Sequence, residues 1–139
     1  MIRVEPVNWL DKQSLMRAIR EAVFIREQHV PVELEWDGLD AQCTQLLLFC
    51  GDEAVGTARM TANGKIGRMA VLSEYRGCGG GKLLLSTMVQ VAKSAQLDEV
   101  VLDAQVSAID FYIPFGFEVV SERFMDAGIV HRKMMLALS

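Results

Sequence analysis

Apolar and polar residues alternate from Ile2 to Val7, with Ile2 and Val4 on one side and Pro6 near the end, which predicts a short first strand. The period then lengthens. Asn8, followed by Asp11, resembles a capping box, and Leu15, Ile19, Ala22 and Val23 share one helical face, so a first helix is predicted from Leu10 to Arg26. Thr44 to Cys50 is a β-rich apolar run, Gly51-Asp52-Glu53 has turn chemistry, and Ala54 to Thr61 reads as the hairpin partner. Asn63-Gly64 tolerates positive φ at both residues and so marks a second tight turn, leading into a strand from Ile66 to Val71.

Beyond the glycines at 77 and 79–81 the period changes to that of a helix, with Leu84, Met88, Val91 and Ala95 on one face and Leu85, Val89 and Ala92 beside it. Val100 to Ala104 follows as a short buried strand. Strand, glycine loop, helix and strand form a right-handed crossover with a parallel pair. Ser107 to Ile113 predicts a short helix stopped by Pro114 and Gly116, and Phe117 to Arg123 with Val130 to Leu138 a closing pair of strands. The order β-α-(α)-βββ-α-β-α-ββ is that of a mixed α/β (α+β) layer.

A length of 139 residues, 51% apolar and 23% charged, predicts one domain over 1–139 with a sizeable core and no linker. Cys43, Cys50 and Cys78 form no CxxC pair and suit neither a disulfide scaffold nor a cysteine zinc site, so no metal is expected. No signal-peptide pattern and no long apolar span are evident, which makes a reducing cytoplasm the default. The net charge of -4 argues against a nucleic-acid binder, since neutralising phosphates takes a basic surface. That charge is unevenly spread: from Glu27 to Ala58 there is no Lys or Arg, and Glu27, Glu33, Glu35, Asp37, Asp40, Asp52 and Glu53 are all acidic.

The stretch Arg76-Gly77-Cys78-Gly79-Gly80-Gly81-Lys82 sits between strand and helix, where free N–H groups and the positive end of the helix dipole favour an anion. Arg76 and Lys82 add charge. It is not a P-loop, which needs Ser or Thr where Leu83 stands, and a dinucleotide fingerprint begun at Gly77 would need glycine in place of Lys82. A reactive thiolate at Cys78 would be favoured by the helix N-terminus but opposed by bound phosphate.

Arg76, Gly79 and Gly81 match the Arg/Gln-x-x-Gly-x-Gly/Ala signature of the GNAT superfamily of N-acetyltransferases, and the resemblance extends over essentially the whole chain. It implies a mostly antiparallel sheet with a splayed parallel central pair and helices on both faces. It further implies that Arg76, Gly77, Cys78, Gly79, Gly80, Gly81 and Lys82 surround the pyrophosphate of acetyl-CoA, and that the main chain of Met69, Ala70 and Val71 pairs with pantetheine. Leu102-Asp103-Ala104-Gln105 and the later Phe111-Tyr112-Ile113-Pro114-Phe115-Gly116-Phe117 resemble the second GNAT signature. Tyr112 then serves the departing CoA thiolate and Gln105 joins the cofactor side; Pro114 departs from the family's pattern.

A protonated amine cannot attack a thioester, and neutralising a lysine-like amine at pH 7 costs about 4 to 5 kcal/mol. Many family members supply a glutamate on the fourth strand; here that strand carries Arg68 and no carboxylate. The run Val23-Phe24-Ile25-Arg26-Glu27-Gln28, the turn Asp37-Gly38-Leu39-Asp40 and Gly128-Ile129-Val130-His131 are similar to the ElaA-like branch of the superfamily. Glu27 and His131 are the candidates for deprotonating the amine, histidine because it changes charge near neutral pH, and Glu35 and Asp37 for binding it. The reading that results is an acetyl-CoA-dependent N-acetyltransferase for a primary amine of a small cationic acceptor. A non-catalytic CoA-binding regulatory module of the same fold is the alternative, and acetylation of protein-borne or RNA-borne amines fits less well. Neither nucleic acid nor membrane is expected as a partner, and the oligomeric state, a homodimer among the options, is not encoded.

Overall fold

A computed structural model describes residues 1–138. One eight-stranded sheet runs through the chain. Its strands are β1 (Ile2–Val7), β2 (Thr44–Cys50), β3 (Glu53–Met60), β4 (Lys65–Val71), β5 (Glu99–Gln105), β6 (Glu118–Val119), β7 (Phe124–Asp126) and β8 (Ile129–Ala137). The helices are α1 (Trp9–Arg20), α2 (Val32–Glu35), α3 (Gly80–Ser94) and α4 (Ile109–Tyr112). The strand order is β1-β2-β3-β4-β5-β8-β6, with β7 on β8; β4 and β5 are parallel and the other pairs antiparallel.

The sheet is covered on both faces, and β2 explains how. Its run Leu46-Leu47-Leu48 breaks strict alternation because both faces are buried. Leu46 and Leu48 join Leu84, Leu85 and Met88 of α3 in one core, whereas Leu47 joins Met16, Ile19 and Val23 in the other. Each side chain so buried contributes about 1.5–3 kcal/mol.

Two predicted elements differ in a way that matters for the site. The first helix is α-helical only to Arg20, and Glu21–Glu27 is a π-helix, the Gln28 amide bonding back to the Val23 carbonyl at 3.0 Å. Apolar periodicity does not distinguish the two windings, and π segments concentrate at functional sites. At the C-terminus the predicted pair of strands is three. The segment after Phe117 pairs only at Glu118–Val119, then Phe124–Asp126 turns back on β8 through Ala127 and Gly128, both at positive φ. This geometry suits a two-residue hairpin, but Ala-Gly is a weak sequence signal for it.

The decisive feature is the parting of β4 from β5. They pair only at Lys65↔Val101 and Ile66↔Leu102. Immediately afterwards β4 bulges: Gly67 faces Arg59 and Ala70 faces Thr57, so Arg68 and Met69 together oppose Ala58. Arg68 takes φ +48°, uncommon for a residue with a side chain. Beyond the bulge, the edge of β4 toward β5 is unpaired.

Candidate active site

Two cavities open on either side of this fork. The first, about 580 Å³, is lined by Met69, Ala70 and Val71 of β4, by Arg76, Gly77 and Gly79 to Lys82, and by Phe111 and Tyr112. Its floor is the N-terminus of α3, which has no side-chain cap. Gly79 holds φ +87° as the N-cap, and a Cβ on Gly80 would lie 2.5 Å from Leu48 Cδ2, so the glycines let the helix start close against β2 and leave its first amides available. The loop and its exposed Lys82 suit an anionic group, and the unpaired strand edge suits an extended chain that carries amide groups. Cys78 lies exposed in the loop, outside the cavity lining.

Arg76 is already engaged. Its Nη1 and Nη2 donate to Glu27 Oε2 and Oε1 at 2.7 and 2.8 Å, and its Nε to the Val71 carbonyl at 2.8 Å. The hydrogen bond from Arg76 pulls the Glu27 carboxyl below its ordinary pKa despite a small opposing effect of burial. Glu27 therefore sits away from the second cavity and is a poor base; it braces Arg76 and ties the π-helical segment to the glycine loop.

The second cavity, about 320 Å³, lies across the fork and is lined by residues of the π-helical segment, α2, β4, β5 and β8, with Phe24, Gln28, Glu35, Arg68, Asp103 and His131 among them. Met69, Ala108 and Tyr112 line both cavities. Gln105 falls on this side, not on the loop side, and its Nε2 donates to Gln28 Oε1 at 3.0 Å.

Tyr112 is held edge-on by Phe111, with centroids 5.1 Å apart, and by Phe117 at 5.9 Å. Burial pushes its pKa up to about 12, so the phenol stays protonated at neutral pH. His131 is buried at the end of the β5–β8 ladder, opposite Gln105 and stacked on Phe124. Its Nδ1 lies 2.7 Å from the Ile129 carbonyl. A carbonyl only accepts, so Nδ1 donates, and in the neutral form of the ring the lone pair is on Nε2.

The acidic stretch does not present bare charge to the cavity. Arg20, completely buried, bonds Glu35 Oε2 at 2.7 Å and Asp40 Oδ1 at 2.6 Å. Arg59 bridges Asp37 and Asp40, and Arg68 lies 3.2 Å from both Glu35 and Asp37. Three guanidiniums thus match three carboxylates. Burial pushes Glu35 up against the pull of Arg68 and Arg20, while the Arg59 hydrogen bonds hold Asp37 far below the usual carboxylate range. Asp40 is also lowered, its burial outweighed by Arg20 and Arg59 together. Asp37 is outside the cavity lining, and Glu35 reaches it only as a member of this neutral network. Sequence gives no hint of the pairing, because the arginines lie far from the acids along the chain.

Asp103 was missed as a site residue although a carboxylate within the apolar run Val100–Ala104 is a visible signal. It stands just past the last β4–β5 pair, with Oδ2 3.1 Å from Lys65 Nζ. Among the described residues no group of three or more His, Cys, Asp or Glu is placed to hold a metal ion.

Comparison with known proteins places this arrangement of a splayed parallel pair over a glycine-started helix. Residues 11–138 match the acetyltransferase (GNAT) domain family, and the chain belongs to it. The uncharacterized N-acetyltransferase YjcF of Bacillus subtilis (strain 168) is 36% identical over 121 residues, covering 84% of this chain and 86% of that protein. An acyl-CoA N-acyltransferase from Pseudomonas aeruginosa superposes with TM-score 0.89 at 27% identity, over 99% of this chain and 100% of that one. Escherichia coli ElaA superposes with TM-score 0.86 at 28% identity, over 97% and 99%.

Proposed function

We propose that this chain transfers an acetyl group from acetyl-CoA to the primary amine of a small acceptor by direct attack at the junction of the two cavities. The observation that carries this reading is that Met69, Ala108 and Tyr112 line both spaces, so a thioester reaching along β4 meets an amine entering from the other side. The α3 N-terminus with Gly79 to Lys82 holds the pyrophosphate, and Arg76, braced by Glu27, fixes the loop. Pantetheine runs along the unpaired edge of Met69 to Val71.

The ammonium loses its first proton to solvent, at a cost of about 4 to 5 kcal/mol at pH 7, and His131 Nε2 takes the second as the attacking nitrogen becomes acidic on bonding to carbon. Amine nitrogen bonds to the carbonyl carbon, the C–S bond breaks, and sulfur leaves as thiolate. Tyr112 donates a hydrogen bond to that sulfur. With its pKa near 12 against about 8.5 for a thiol, full proton transfer would be uphill by about 5 kcal/mol. Its contribution is therefore charge stabilisation, and the thiol's proton comes from solvent or from the amine.

The test is thermal stabilisation by acetyl-CoA in the wild type and in the double variant Arg76→Glu with Gly79→Glu, alongside thiol release with an amine panel. Loss of stabilisation in the variant is expected; equal stabilisation would refute the assignment of the loop.

A further inference from the structure

The described residues contain two buried side-chain polar atoms with no hydrogen-bond partner, Arg68 Nε and Asp103 Oδ1. One is a donor and the other an acceptor, and both residues line the second cavity. Buried polar groups are nearly always paired, so two complementary orphans in one cavity call for an explanation. Arg68 is presented by the β4 bulge with φ +48°, a conformation that persists only where the surroundings enforce it. Its hydrogen bonds all run through Nη2, to the Leu34 and Glu35 carbonyls and Asp37 Oδ2, each at 3.2 Å; Nε faces Glu35 Oε2 at 3.2 Å without forming a hydrogen bond, so Nη1 is the edge left for another acceptor. Across the fork, Asp103 spends Oδ2 on Lys65.

Resting on the acyl-transfer reading above, we propose that the acceptor is an amino carboxylate, its carboxylate received by Arg68 and its ammonium by Asp103, in the cavity that His131 also lines. The surrounding network of arginines and acids is balanced in charge, and a zwitterion spanning Arg68 and Asp103 adds no net charge to it. A doubly charged phosphate would crowd Glu35 and Asp37. A polyamine, in contrast, would bring a second cation toward Arg68.

The experiment compares L-amino acids with their carboxamides and the matching aminophosphonates, measuring binding by calorimetry to the full chain in the presence of CoA and, separately, thiol release from acetyl-CoA. At least one amino acid is expected to bind about ten-fold more tightly than its carboxamide and its phosphonate. Arg68→Gln should bring the amino acid down to the carboxamide's affinity, Arg68→Lys should restore part of the difference, and Asp103→Asn should weaken both. Circular dichroism verifies that the variants fold, and the wild-type series decides if they do not. Equal binding of acid and amide, preference for phosphonate, no binding in any series, or an unchanged ratio in a folded Arg68→Gln would each overturn the proposal. Discriminating binding without thiol release would leave it standing and sink acyl transfer; release on amines regardless of a carboxylate would do the reverse.

Discussion

At the scale of single residues, the site separates groups that touch the reaction from groups that hold those in place. Tyr112 belongs to the first kind in the proposed mechanism, where a half-buried, protonated phenol would lend a hydrogen bond to a developing thiolate without giving up its proton. Tyr112→Phe should lower kcat by about 10- to 100-fold and leave the Kd for acetyl-CoA within about two-fold, measured by stopped-flow and calorimetry; an unchanged kcat would remove it from the mechanism. Arg20 belongs to the second kind. Removing one partner of a buried ion pair strands the other, so Arg20→Met should cost about 3–5 kcal/mol of stability in chemical denaturation. A loss below about 1 kcal/mol would mean that Glu35 and Asp40 find other partners.

Asp37 gives a prediction with a sign. Its folded pKa lies below its unfolded value of about 3.9. The stability it contributes is therefore fully present above that value and is lost as pH falls through the folded one. The stability difference between wild type and Asp37→Asn should be constant from pH 7 to about 5 and shrink below about 4. A difference independent of pH would contradict the ion-pair account.

At the scale of elements, the loop and the fork do the positioning. Gly79→Ala must adopt φ +87° with a Cβ, a strain of about 1–2 kcal/mol. It should lower the melting temperature and weaken acetyl-CoA binding together, as thermal shift with and without ligand will report. Glycine loop, helix and flanking strands were readable because their chemistry is local: periodicity changes at the loop, and turn residues punctuate the hairpins. The fork was named only through family resemblance, since nothing in Gly67-Arg68-Met69 alone announces a bulge. The π-helical winding and the third C-terminal strand depend on tertiary contacts that periodicity does not encode. Ion pairing escaped for the same reason, because Arg20, Arg59 and Arg68 converge on the acids only after the sheet forms. Glu27 and Gln105 show the cost: both lie in recognisable motifs, yet the fold turns one toward Arg76 and the other toward Gln28.

At the scale of the molecule, a net charge of -4 conceals an uneven local distribution. Of the seven acids in the acidic stretch, Glu35, Asp37 and Asp40 are paired with the three arginines and Glu27 with Arg76, while the glycine loop offers helix amides and Lys82 to the anion proposed there. Neither cavity depends on the overall sign of the protein. What joins them is the β4–β5 fork, which brings both cavities to one phenol, that of Tyr112. The most direct test of that claim is amine-dependent thiol release from acetyl-CoA, followed over the amino-acid and amine panel in the wild type and Tyr112→Phe. The account predicts release that requires an acceptor amine, saturates in both substrates, and falls in the variant through kcat alone. Acetyl-CoA binding with no amine-dependent release on any member of the panel would contradict it.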